Sequence, residues 1–160
     1  MIVVFILFTL IIISVVSYYI FKQARIRKYA LFFRDSMDLV ELPVVTFYNG
    51  HKKLNMLLDT GSTECVISKE YLKDIVYEET GASREMFGME GETVLNPIIN
   101  STVSYSGLKF DVEFLAADMS QAFGLIKQEN GVTIHGILGS NFFARYKYIL
   151  DFDKLMFYKK

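Results

Sequence analysis

Asp59-Thr60-Gly61-Ser62 follows directly on the apolar stretch Leu54-Asn55-Met56-Leu57-Leu58, so an acid is delivered from a buried strand into a glycine turn. A carboxylate there is costly to bury unless it is hydrogen-bonded or shares a proton, and its placement points to chemistry rather than solubility. The plain alternative is an Asx turn, in which the aspartate only hydrogen-bonds its own backbone. A second element bears on the choice: Ile137-Leu138-Gly139, an apolar-apolar-glycine run that enters a short helical pattern at Ser140.

The elements that must position these residues are mostly strands. Leu42 to Tyr48 is β-branched and aromatic, Asn49-Gly50 is a two-residue hairpin signal, and Lys53 to Leu58 is the returning strand that presents Asp59 at its end. Cys65-Val66-Ile67 reads as a strand. Ser68 then looks like the N-cap of a short helix carrying Glu70, Tyr71, Leu72 and Ile75. Val76 to Gly91 is charged and punctuated by Gly81, Gly88 and Gly91 around Met86-Phe87, which suits a mobile hairpin. Strand signals return at Val94-Leu95, Ile98-Ile99, Val103 to Tyr105 and Leu108 to Leu115, with Ser106-Gly107 as a turn. Asp118 to Asn130 has loosely helical spacing and stops at Gly131. Thr133 to Gly139 reads as a strand, Ser140 as the cap of a helix through Tyr146, and Tyr148 to Phe152 with Leu155 to Tyr158 as a last hairpin. The chain is thus mainly β, with one to three short helices and no repeats.

The acid turn after a buried strand, joined to the later Ile137-Leu138-Gly139 entering a helix, resembles the retropepsin-like aspartic peptidases, the single-domain relatives of pepsin. The resemblance covers roughly Leu42 to Tyr158 and implies a closed β-barrel. It makes Asp59 the catalytic carboxylate, Thr60 a hydrogen-bonding residue across a dimer interface, and Gly61 a point of close backbone approach. Ser62 would donate to the carboxylate and favour its charged form. Ile137, Leu138 and Gly139 would support the turn, and Phe87, Gly88, Met89 and Gly91 would belong to a flap over the substrate. Peptide hydrolysis of this kind needs two acids sharing one proton, one activating water and the other serving the scissile carbonyl. Only one Asp-Thr-Gly occurs in the chain, so the resemblance implies a homodimer with paired Asp59 side chains. The substrate would be a peptide or protein.

The first 21 residues contain no Asp, Glu, Lys or Arg, and about 20 apolar residues suffice for a helix to cross a bilayer. Tyr18 and Tyr19 fall near the end of the run, where amphipathic rings favour the interface. A cleaved secretory signal would begin with basic residues and end on small ones, and a soluble core helix would keep a polar face. Residues 1–21 are therefore expected to be a single transmembrane anchor, 22–40 a basic juxtamembrane connector, helical or irregular, and 41–160 the folded domain. Lys22, Arg25, Arg27, Lys28 and Arg34 follow the span without an acid among them, which places the domain on the cytoplasmic side. That cluster reads as a stop-transfer signal without lipid specificity. Subtracting those five from 17 basic residues leaves 12 against 18 acidic ones, a net of −6 from Asp35 onward, which speaks against a nucleic-acid partner.

The single Cys65 cannot form an intrachain disulfide, and a small buried residue is its expected role. His51 and His135 lack the spacing of metal ligands, so neither a metal nor another cofactor is expected. Asp151 and Asp153 read as a strand end and turn, and Asn100-Ser101-Thr102 is an isolated glycosylation sequon. The competing functional reading is a catalytically silent, membrane-tethered β-domain for peptide binding or dimerisation, because fold alone does not guarantee chemistry.

Overall fold

The computed structural model describes residues 2–87 and 93–159. Six strands close into a barrel. β2 (Val44–Asn49) pairs antiparallel with β3 (Lys52–Leu58), and β3 pairs parallel with β8 (Gly136–Leu138). β8 is antiparallel to β4 (Val66–Ser68), which runs parallel to β7 (Leu108–Ala117). β7 pairs antiparallel with β6 (Thr93–Tyr105), and Tyr48 opposite Ser104 closes the ring between β6 and β2. Closure leaves the barrel strands without a free edge. β5 (Glu78–Phe87) lies outside the ring on β6. Its pairing is interrupted between Glu79 and Ser83, opposite Pro97, where Thr80 Oγ1 donates to the Ile98 carbonyl.

Alternation along the strands explains the interior. Phe110, Val112 and Phe114 of β7 point inward while Lys109, Asp111 and Glu113 face out, as a period of two requires. Leu54, Met56 and Leu58 of β3 do the same. Asn49 is an inward polar exception whose amide is fully used: Nδ2 donates to Ser101 Oγ and to the carbonyls of Val76 and Thr102, and Oδ1 accepts from Val76 N–H. Asn49 therefore ends the strand, and Gly50-His51 makes the turn instead of Asn49-Gly50.

Four helices frame the barrel among the described residues. α3 (Ser120–Asn130) lays Phe123 and Ile126 on a second apolar cluster with Val44 and Ile134, and ends at Gly131 as the sequence indicates. α4 (Ser140–Tyr146) drives Phe142 into the main core, with ring centroids 5.0–6.4 Å from those of Phe47, Phe110, Tyr146, Tyr148 and Phe157. The helix expected after Ser68 is a 3-10 turn, Lys69–Asp74, and Ser68 makes no side-chain cap; its buried Oγ has no partner among the described residues.

The packed unit starts earlier than residue 41. α1 runs unbroken over Ile2–Tyr29, and β1 (Leu31–Phe32) then adds to a separate sheet in the order β1-β10-β9, with β9 at Tyr148–Asp151 and β10 at Met156–Lys159. Leu31 and Phe33 are buried in the core, and Ser36 of α2 (Arg34–Val40) exchanges hydrogen bonds with the backbone of Val44. Residues of the expected 22–40 connector thus pack on the folded unit from Ala30 onward; three apolar residues between basic neighbours are too short a run to register as a strand. Within the stretch Val4–Ile26 of α1 the most apolar 18 residues have a mean hydropathy of 2.6 and none of them is buried, so this helix is long and apolar enough to cross a membrane.

His135 precedes β8 and is tied to β3: its N–H donates to the Asn55 carbonyl at 2.9 Å, and its Nδ1 accepts from Asn55 N–H at 3.1 Å. The ring packs 4.4 Å from that of Tyr71. Burial first, and the Lys52 cation second, hold this imidazole below its ordinary 6.5. The unfolded chain therefore binds the extra proton more readily, and stability that is present above about pH 6.5 falls as pH drops through the folded value. In full-length protein held in detergent, His135→Gln is expected to lessen the loss of melting temperature between about pH 7 and pH 5 relative to wild type. Phe142→Ala is expected to cost about 3–5 kcal/mol, read as a lower urea midpoint at unchanged slope.

Candidate active site

Three short backbone segments meet at Asp59. The acid stands at the end of β3, and its N–H donates to the Leu138 carbonyl of β8 at 3.1 Å. β8 lies between β3 and β4, with Leu57 opposite Ile137 on one side and Val66 opposite Ile137 on the other. The turn Thr60-Gly61-Ser62 follows. Gly61 N–H donates to Asp59 Oδ1 at 2.9 Å, and Ser62 N–H to the Asp59 carbonyl at 3.3 Å. The turn is held in place by α4: Ser140 N–H donates to the Ser62 carbonyl at 2.8 Å and Asn141 N–H to that of Thr63 at 3.2 Å. First-turn N–H groups have no partner inside their own helix, so the acid loop supplies what α4 lacks.

Gly139 makes that approach possible. A Cβ there would overlap the Glu64 carbonyl and sit 2.9 Å from the Ser62 oxygen. Leu138 is fully buried in the main core, while Ile137 is partly buried against the α3 cluster. Asp59 is half-buried, and Thr60 and Gly61 are exposed. The acid turn is thus rooted in the barrel and open on its outer side.

Ser62 departs from the role that the resemblance gives it. Its Oγ donates to the Glu64 carbonyl at 2.8 Å, and the donor to the Asp59 carboxylate is the backbone of Gly61. The hydroxyl thus stiffens the turn by bonding the carbonyl two residues ahead. Gly88, Met89 and Gly91 of the expected flap lie outside the described residues; Phe87 is the last residue of β5.

Glu64 emerges here without a local sequence signal. Its carboxylate pairs with Arg84 of β5 and accepts from Asn141 Nδ2 at 3.2 Å, so one acid joins the acid loop, the outer hairpin and α4. Only folding brings residues so far apart in the chain together. Arg84 also stands 3.8 Å from Glu113. Cys65 is buried, donates to Asn141 Oδ1 at 3.0 Å, and has its thiol pushed up to about 11 by that burial, which makes it a poor nucleophile. Among the described residues no group of three or more His, Cys, Asp or Glu side chains could hold a metal ion.

A half-buried acid at a strand end, backed by a glycine that lets a helix cap its loop, is an arrangement suited to presenting a carboxylate to water. No curated protein sequence matches the chain at a level that names a relative. Residues 44–142 match the family described as aspartyl protease, a stretch that runs from β2 into α4 and contains every part of this constellation. The chain belongs to the aspartyl protease family.

Proposed function

From that membership we propose that the chain is a membrane-anchored aspartic endopeptidase that works as a homodimer. The observation that carries this reading is Asp59 on a turn rooted in the barrel yet open outward, in a chain with a single Asp-Thr-Gly. A two-fold axis beside the turn presents the same acid twice. Two carboxylates about 3 Å apart hold one proton between them. The ionised one takes a proton from water as that water attacks the scissile carbonyl, and the protonated one gives its proton to the carbonyl oxygen. As the gem-diol collapses, the first passes its new proton to the leaving amine while the second takes one back from a gem-diol hydroxyl, so the C–N bond breaks and the pair again holds one proton.

The remaining roles follow from position. Gly61 N–H orients the Asp59 carboxylate, Ser62 braces the turn through Glu64, and exposed Thr60 faces the second copy. Ile137, Leu138 and Gly139 fix the height of the loop above the core. The β5–β6 hairpin, with Phe87 at its end and Gly88, Met89 and Gly91 beyond, serves as the flap that adds main-chain hydrogen bonds to an extended peptide. The apolar segment 1–21 spans the bilayer, and the basic residues that follow it keep the domain on the cytoplasmic side. Confinement to a plane raises the effective concentration of copies and favours pairing.

The test is cleavage of a peptide library by the full chain in detergent, across the acid to neutral range. Asp59→Asn is expected to lower the rate by about a hundredfold or more while leaving the dimer intact by sedimentation. Equal mixing of wild type and Asp59→Asn chains before assembly should leave about one quarter of the activity of the same amount of wild type, since only dimers with both acids work. A value near one half would mean that each chain acts alone. A confirmed dimer that cuts nothing would point to the peptide-binding alternative. Gly139→Ala is expected to abolish cleavage and to cost about 1–3 kcal/mol or more, because the new Cβ would overlap the Glu64 backbone and force the acid loop away from α4.

A further inference from the structure

Where α1 leaves its apolar stretch, the tertiary structure gathers charge that the sequence keeps apart. Lys22 and Arg25 stand three residues apart on one helix face, and Lys159 of β10 reaches the same cleft. Tyr18, Phe21 and Ile26 complete a lining of about 360 Å³ that contains no acidic residue. Among the described residues none of the three cations is ion-paired. Lys159 Nζ lies 5.4 Å from the ring centroid of Tyr148 and 5.9 Å from that of Tyr146, contacts that restrain it without cancelling its charge.

We infer that this cleft binds the phosphate of an anionic phospholipid headgroup, with Lys22, Arg25 and Lys159 around the phosphate and Phe21 against the lipid's apolar upper part. The inference rests on α1 being a membrane span. At 1.5 Å per residue the helix rises roughly 27 Å from Val4 to Phe21, close to the hydrocarbon thickness of about 30 Å. Lys22 and Arg25 then stand at headgroup depth. A stop-transfer signal needs only the charges that follow the span in sequence; Lys159 joins them solely because β10 packs beside the end of the helix. The domain beyond Asp35, net −6 once the five early basics are set aside, is repelled by an anionic leaflet, and a cationic cleft on the membrane side offsets that repulsion and sets the tilt of the barrel.

The experiment is native mass spectrometry of the full chain released from nanodiscs of phosphatidylcholine and phosphatidylglycerol. Wild type should retain phosphatidylglycerol in preference, and Lys159→Gln should lower that retention roughly fivefold, with Lys22→Gln plus Arg25→Gln lowering it further. Lys154→Gln, in the turn between β9 and β10 and already paired with Asp151, should change nothing. Equal retention of both lipids, or retention by both cleft variants that matches wild type, overturns the inference. Alkaline extraction of membranes separates the two claims. A chain that is stripped from the bilayer removes the anchor and this inference together, whereas a chain that stays in the bilayer without lipid preference removes the lipid site alone.

Discussion

The close passage of Gly139 under the Glu64 and Ser62 carbonyls is the contact on which the rest of the molecule depends. A side chain of any size would part α4 from the acid loop, leaving the Ser62 and Thr63 carbonyls and the Ser140 and Asn141 N–H groups without each other. Partly buried backbone groups that lose such partners give up the bonds and also part of their solvation. The strand before Gly139 works to the same end. β8 is only three residues long, yet it is bonded on both sides, to β3 and to β4, so the peptide that supports Asp59 cannot shift without opening the barrel.

From that contact the position of the acid is referred to the core. α4 offers its first N–H groups to the loop and, on its inner face, Phe142 to the aromatic cluster around Phe47, Phe110 and Phe157. Phe157 belongs to β10, which pairs with β1 directly after the apolar helix. One continuous set of packed elements therefore runs from the end of α1 to the acid turn. Interiors packed this densely deform little, and a domain joined to its helix through a β-strand holds a more defined attitude than one hung on a flexible linker.

Much of the barrel could be read in advance because its strands alternate strongly. The β2–β3 hairpin, β7 and the β9–β10 hairpin announce themselves through apolar residues at every second position or through turn chemistry, and α3 stops at Gly131, whose left-handed backbone closes the helix. Where the structure departs from expectation, the deciding contact lies far away in sequence. Thr133 to His135 does not continue β8 as a ladder; Asn55 holds it through side-chain and backbone bonds. Leu31 and Phe33 belong to the core because β10 offers an open edge. Ser62 turns to Glu64, and Glu64 to Arg84, for reasons no local window contains.

The order of residues alone determined that an acid would follow a buried strand into a glycine turn, that an apolar-apolar-glycine run would come later, and that an apolar helix would precede them. These are matters of residue type and period, which act over a few positions. Which donor meets the Asp59 carboxylate, which acid fastens the outer hairpin, where the domain begins and which cations gather at the foot of α1 were decided by tertiary packing. Each depends on a distance between segments remote in the chain, and such distances exist only once the barrel has closed.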